Sequence, residues 1–270
     1  MSRRRTGFNP HMRAYGCPII KPTIVPTPDI ISTDLIIRLD ANNTTSYAGS
    51  GTTWTNIGTG APNYNGTLSG PTLPTFVNAT PKYFNFTRNL LSSPVDYLNY
   101  NFVSVIRPLA IGDDFTFCAW INSTQVGAGL NHYQLMYIVS TETGGLNNDF
   151  GFGINSAGKL AYGDGDLFGS DITIATTQSV NTGNWIFVSV TRQKSNGEVK
   201  LYINGVLDTT GTCNVGNYLG DSVDMLIGSE KDFPGYTWGG GIGLFLANTS
   251  VLTSTQILQN FNATRSIYGI

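Results

Sequence analysis

An all-β fold, an antiparallel β-sandwich, is predicted by three features of the sequence. Residues 198–203 alternate, with Val199, Leu201 and Ile203 on one side and Glu198, Lys200 and Tyr202 on the other. That period of two marks a half-buried strand. Asn196-Gly197 and Asn204-Gly205 stand where the chain must reverse, and Asn-Gly accepts the positive φ angles of a type I′ hairpin turn. Only 12% of residues are charged, while glycine numbers 32 among 270 residues. Many short strands joined by tight turns suit that composition, and the length has room for one large β domain.

The first 33 residues are predicted to form an extended arm. Residues 1–22 hold Arg3, Arg4, Arg5, Arg13 and Lys21 and no acidic group, a charge of +5; the remainder carries ten basic against 17 acidic groups, or −7. Pro10, Pro18, Pro22, Pro26 and Pro28 are five of the 12 prolines, and proline fixes φ and biases its predecessor to extended geometry. Arg3, Arg4 and Arg5 are expected to steer this arm onto acidic protein surfaces, with Phe8, Tyr15 and Ile19 anchoring it by burial. Three arginines without interleaved aromatics argue against nucleic acid as a partner. No apolar run follows the N-terminal charges, so no secretory leader is expected. No stretch approaches the length needed to span a bilayer, and no membrane partner is expected.

The sandwich is expected over residues 34–270. Pro81 to Arg107, with a long run past Tyr97, Tyr100 and Phe102, reads either as an enlarged loop that makes a contact surface or, equally, as an insertion with no role. Trp185 to Leu207 reads as two consecutive hairpins. A short C-terminal helix follows, because Thr253 and Gln256 have capping-box spacing and Ile257 and Phe261 stand one turn apart. The helix is expected against an edge or end of the sandwich. Cys17, Cys118 and Cys213 lie in separate segments with no CxxC spacing, which argues against a disulfide framework or a zinc site. Cys118 reads as a small buried apolar residue.

The stretch NWIFVSVTRQKSNGEVKLYINGVLD resembles the central hairpins of the laminin-G-like and concanavalin A-like lectin/glucanase jelly rolls. In the family's order, LIIRLDANNTTSYAGSGTTWTNI (Leu35 to Ile57) looks like the opening strand and Gly/Ser/Thr-rich loop ending in Trp54, DFTFCAWIN (Asp114 to Asn122) looks like the strand carrying a buried Trp, here Trp120, and GGIGLFLANTSVLTSTQILQNFNATRSIYGI (Gly240 to Ile270) looks like the last strand, the short helix and the Tyr-Gly-Ile tail. The resemblance covers nearly the whole chain. It implies a concanavalin A-like module of the kind found in phage and large-virus structural proteins. The expected role is then non-enzymatic: a capsid decoration, minor capsid or tail component of a virion, made in a host cytoplasm. It would join other particle proteins through its arm in a homo- or hetero-oligomeric assembly. The alternative is a carbohydrate-binding module or host-surface adhesin.

A glycoside hydrolase is the third reading. It needs two carboxyl groups at a fixed separation, and the glucanase branch carries them as Glu-x-Asp-x-x-Glu. The three glutamates, Glu142, Glu198 and Glu230, lack that spacing, so no catalytic residue is assigned and no enzyme is expected. His132, beside Tyr133, reads as a polar loop residue. For a glycan, Tyr236 and Trp238 before a glycine run offer an aromatic platform, though Trp238 could equally plug the core. For a cation, Asp164, Asp166 and Asp171 place carboxylates on a Gly-rich loop, as calcium prefers. No other cofactor is expected.

Overall fold

Two antiparallel sheets face each other in the computed structural model, which describes residues 28–88, 100–108, 111, 113–142, 149–165, 171–215, 224–231 and 236–270. The arm residues Arg3, Arg4, Arg5, Phe8, Tyr15 and Ile19 lie outside the described residues, as do Cys17, Tyr97 and Asp166. The first eight strands are β1 (Leu35–Asp40), β2 (Thr53–Trp54), β3 (Gly66–Ser69), β4 (Thr75–Val77), β5 (Tyr83–Phe86), β6 (Phe102–Ile106), β7 (Phe115–Asn122) and β8 (Met136–Ser140). The next eight are β9 (Phe150–Ile154), β10 (Lys159–Asp164), β11 (Ile172–Ser179), β12 (Ile186–Gln193), β13 (Glu198–Ile203), β14 (Val206–Thr212), β15 (Asp224–Ile227) and β16 (Gly240–Asn248). One sheet runs β14-β13-β12-β7-β16-β5-β4, with β1 also beside β16. The other runs β11-β10-β9-β8-β15-β6-β3-β2.

Alternation places the core between them. Phe117, Ala119 and Ile121 of β7, Val188 and Val190 of β12, and Val199 and Leu201 of β13 meet Met136, Ile138, Phe150 and Phe152 of the facing sheet. Trp54 is fully buried in the same core. The second hairpin turns as expected: Asn204 and Gly205 join β13 to β14 with φ of 50° and 80°. The first does not. Residues 194–197 make a four-residue loop, and the Asn196 side chain accepts from the Glu198 N–H at 3.0 Å, a local turn that asparagine forms readily.

The helix α1 (Ser254–Thr264) starts in the expected capping box, with Thr253 and Gln256 each reaching the other's backbone N–H. Its position corrects the sequence reading, because it covers a sheet face rather than an edge. Strands β7, β12 and β13 also turn Cys118, Trp120, Phe187 and Tyr202 outward, and Ile257, Phe261 and Tyr268 bury them. Trp120 stacks on Tyr268 with centroids 4.2 Å apart and donates its indole N–H to Thr264 Oγ1 at 2.8 Å. Two-sided apolar strands need two covers, and α1 is the second.

Residues 28–33 are part of the same assembly. Ile30 and Ile31 pack on the α1 cluster, and Ile31 N–H donates to Asn260 Oδ1 at 2.8 Å.

Candidate functional site

The register of the second sheet sets one lane of outward-facing residues across seven strands. Thr67 of β3 opposes Ser104 of β6, which opposes Leu226 of β15, which opposes Ser140 of β8. Ser140 in turn opposes Gly151 of β9, Gly151 opposes Gly163 of β10, and Gly163 opposes Thr173 of β11. Apart from Leu226, every side chain in the lane is small. The sheet surface is therefore open to whatever lies on it.

One end of the lane is covered by the chain itself. A single 3₁₀ turn, His132–Gln134, rests on β9 and β10. It comes so close that a Cβ added at Gly163 would stand 2.5 Å from His132 Cβ, and one at Gly151 would stand 2.6 Å from the Tyr137 ring. Only glycine admits that approach. The turn is pinned by His132 N–H donating to Thr173 Oγ1 at 2.8 Å and by Tyr137 O–H donating to the His132 carbonyl at 2.9 Å.

His132 is 1% exposed, which corrects its reading as a polar loop residue. Its Nε2 faces Glu142 Oε2 at 3.2 Å and Asp149 Oδ1 at 3.9 Å. Burial alone would depress the imidazole, but the two carboxylates outweigh it and bring its pKa up to about 9. Glu142 is raised, first by burial and also by Asp149 and Asp171, against the opposing pull of His132. Burial also pushes Tyr137 well up, reinforced by Glu230, Glu142 and Asp149.

At the other end no described residue covers the lane. Tyr100 and Phe102, partly exposed, set their rings nearly parallel, 11° between planes and 6.0 Å between centroids. With Ser69, Ser104, Asp224, Glu230 and Lys231 they line a depression of about 310 Å³. An aromatic surface beside hydroxyls, carboxylates and an ammonium is the mixed lining that fixes a polar ring-shaped ligand. A second, wider depression of about 500 Å³ at the first sheet is lined by Asn122, Asn184, Asn204 and Trp185.

The glycan platform read from the sequence is corrected in part. Trp238 is fully buried and belongs to the main core, so its ring has no face for a sugar. Tyr236 is partly exposed and packs beside Tyr137 on the outer face. The calcium set does not fit either. Asp164 is fully buried and accepts from both the backbone and the side-chain N–H of Asn214, at 3.2 and 2.9 Å, whereas Asp171 is exposed. Asp164 and Tyr162 share the core-facing side of β10, which turns Asp164 away from the lane.

The family description "Concanavalin A-like lectin/glucanases superfamily" matches residues 98–258. The chain belongs to this superfamily. No curated protein sequence matches it. Among solved structures it is similar to the binding domain of Paraclostridial Mosquitocidal Protein 1, with a TM-score of 0.60 and 16% identity over 87% of this chain and 55% of that one. It is similar to a botulinum neurotoxin type C structure, described by cell entry dependent upon interaction with two ganglioside molecules, with a TM-score of 0.58 and 18% identity over 85% and 51%. It is also similar to domain 4 of an extracellular arabinanase from Geobacillus stearothermophilus in complex with arabinotriose, with a TM-score of 0.59 and 14% identity over 85% and 99%. The chain spans about half the length of the toxin domains it matches. At these identities the likeness establishes the concanavalin A-like fold, and function has to be argued from the site.

Proposed function

We propose that this concanavalin A-like sandwich is a carbohydrate-binding module that takes a glycan on the outer face of its second sheet. The paired rings of Tyr100 and Phe102, set among Ser104, Asp224 and Lys231, carry the reading. Sugar rings stack on aromatic faces while their hydroxyls exchange hydrogen bonds with the polar lining. The ganglioside interaction of the neurotoxin and the arabinotriose bound by the arabinanase domain support glycan recognition over the virion structural role first expected. Attachment to a particle through residues 1–33 remains compatible with a glycan-binding body. The face is read as binding rather than catalysing, because Glu142 and Asp149 are buried and a hydrolase must present both carboxyl groups to its substrate.

A glycan array probed with the full chain tests the proposal. Tyr100→Ala and Phe102→Ala should each weaken binding to the captured glycan about tenfold, which corresponds to roughly 1.4 kcal/mol. Trp185→Ala, in the other depression, should not. Absence of binding across a broad panel, or loss only in Trp185→Ala, would overturn the assignment.

A further inference from the structure

We propose that His132, Glu142 and Asp149 form a site for one divalent transition-metal ion of the zinc type. The three side chains come from the 132–134 turn, from beyond the end of β8 and from the residue before β9, and their ligand atoms all lie within 4.8 Å of one another. Two ligands of a tetrahedral zinc, each bonded at about 2.0–2.1 Å, stand about 3.3–3.4 Å apart. The observed separations of 3.2 and 3.9 Å from Nε2 bracket that value. Side-chain adjustment of the three ligand atoms, already within 4.8 Å of one another, to that spacing would seat the ion.

Burial separates this set from an ordinary acidic cluster. The side chains of His132, Glu142 and Asp149 are 2%, 8% and 3% exposed. Two carboxylates out of water are stabilised by positive charge placed beside them. Glu142 Oε2 is buried and, though near the imidazole, accepts no hydrogen bond of good geometry. A divalent ion would meet both demands.

The donor set narrows the ion. Calcium and magnesium prefer all-oxygen shells, whereas one imidazole nitrogen with carboxylate oxygens suits zinc and its neighbours. Asp171 provides the open side. A Cβ added at Gly165 would lie 3.4 Å from both Asp149 Oδ1 and Asp171 Oδ1. Exposed Asp171, outside the three-residue cluster, would complete the shell through a water. The frame is braced, with Glu142 N–H donating to Ser140 Oγ at 2.7 Å and Phe150 N–H to Thr141 Oγ1 at 3.1 Å. The ion would clasp the 132–134 turn to the ends of β8 and β9, independently of whether the neighbouring depression binds glycan.

The test is calorimetric titration of the chelator-treated full chain with Zn²⁺, in a His11→Ala/Cys17→Ser background that removes ligands from the arm. One ion per chain should bind, and the unfolding temperature should rise with it. Ca²⁺ and Mg²⁺ should leave both unchanged. Co²⁺ should substitute, giving the visible absorption of a low-coordinate nitrogen–oxygen site. Glu142→Gln should weaken zinc at least 100-fold, and the exposed Asp171→Asn, which leaves the core untouched, should weaken it several-fold. If Glu142→Gln does not fold, Asp171→Asn and the Co²⁺ spectrum carry the test. No saturable zinc binding, a calcium response equal to the zinc response, or binding unchanged in the variants that fold would overturn the proposal.

Discussion

Cys118 and Cys213 are both buried and both free. Desolvation raises the Cys118 thiol to about 12, against the opposing contacts of Ser189 and Asn260, and raises Cys213 with help from Asp164. The thiolate is the reactive form, so a native Cys17→Ser chain should resist a thiol reagent at pH 8 and release two reactive thiols on unfolding. Rapid labelling of the native chain would refute this. Because the folded pKa lies above the unfolded value, the thiols favour the fold below about pH 8.5–9, and that contribution is lost as pH rises toward 12. Among the residues, Cys118 and Trp120 were legible because each sits in a strand of apolar residues. Trp238 carried two meanings, platform or plug, and only packing decided for the plug. His132 was misread, since nothing adjacent to it signals burial. The available hint was distant: Phe150-Gly151-Phe152-Gly153 puts glycine at every outward position, which a sheet does where another segment lies on it.

The elements were more legible than the surfaces they make. The capping box, the β13 alternation and the Asn204-Gly205 turn are short-range codes, so sequence specified them. The placement of α1 depends on which face of β7 and β12 lacks a cover, a property of the assembled sheet. The joining of the two sheets at one edge was equally hidden. Asp208 of β14 accepts from Thr177 N–H and Oγ1 of β11 at 2.6 and 2.9 Å, from Gln178 Nε2 at 3.2 Å and from Thr209 Oγ1 at 2.7 Å. Slight burial pushes its carboxyl upward, but these hydrogen bonds pull it below the ordinary aspartate value. Asp208→Ala should cost about 1 kcal/mol at pH 7 by urea denaturation. With the folded pKa depressed, the stabilisation is present above the unfolded value near pH 3.9 and is lost as pH falls through the folded one. The gap between parent and variant should therefore close in acid. A gap that persists undiminished at pH 2 would mean that Asp208 acts through packing rather than charge.

At the scale of the whole molecule, the division into arm and sandwich at residue 33 meets a chain that docks earlier. Gln259 Nε2 donates to the Asp29 carbonyl at 2.9 Å, Asn248 Nδ2 to the Thr33 carbonyl at 2.8 Å, and Asn260, fully buried, accepts from Ile31 N–H. Ile30 and Ile31 extend the cluster that α1 closes over Trp120. Residues 28–33 thus act as a strap on the cover of the first sheet, on the side of the molecule away from the open lane. Full burial of an isoleucine contributes about 1.5–3 kcal/mol, so two partly buried ones contribute roughly 2 kcal/mol together. The Asn260 hydrogen bond adds about 1 kcal/mol, because its loss strands a buried acceptor. Deleting residues 1–33 should therefore cost about 3 kcal/mol more than deleting residues 1–27, as measured by urea denaturation. Glycan binding should survive in both truncations, since the lane and the strap lie on opposite sheets. Equal stability of the two truncations would show that the strap contributes nothing to the fold. Loss of binding in the longer truncation, with the sandwich still folded, would show that the two faces are coupled.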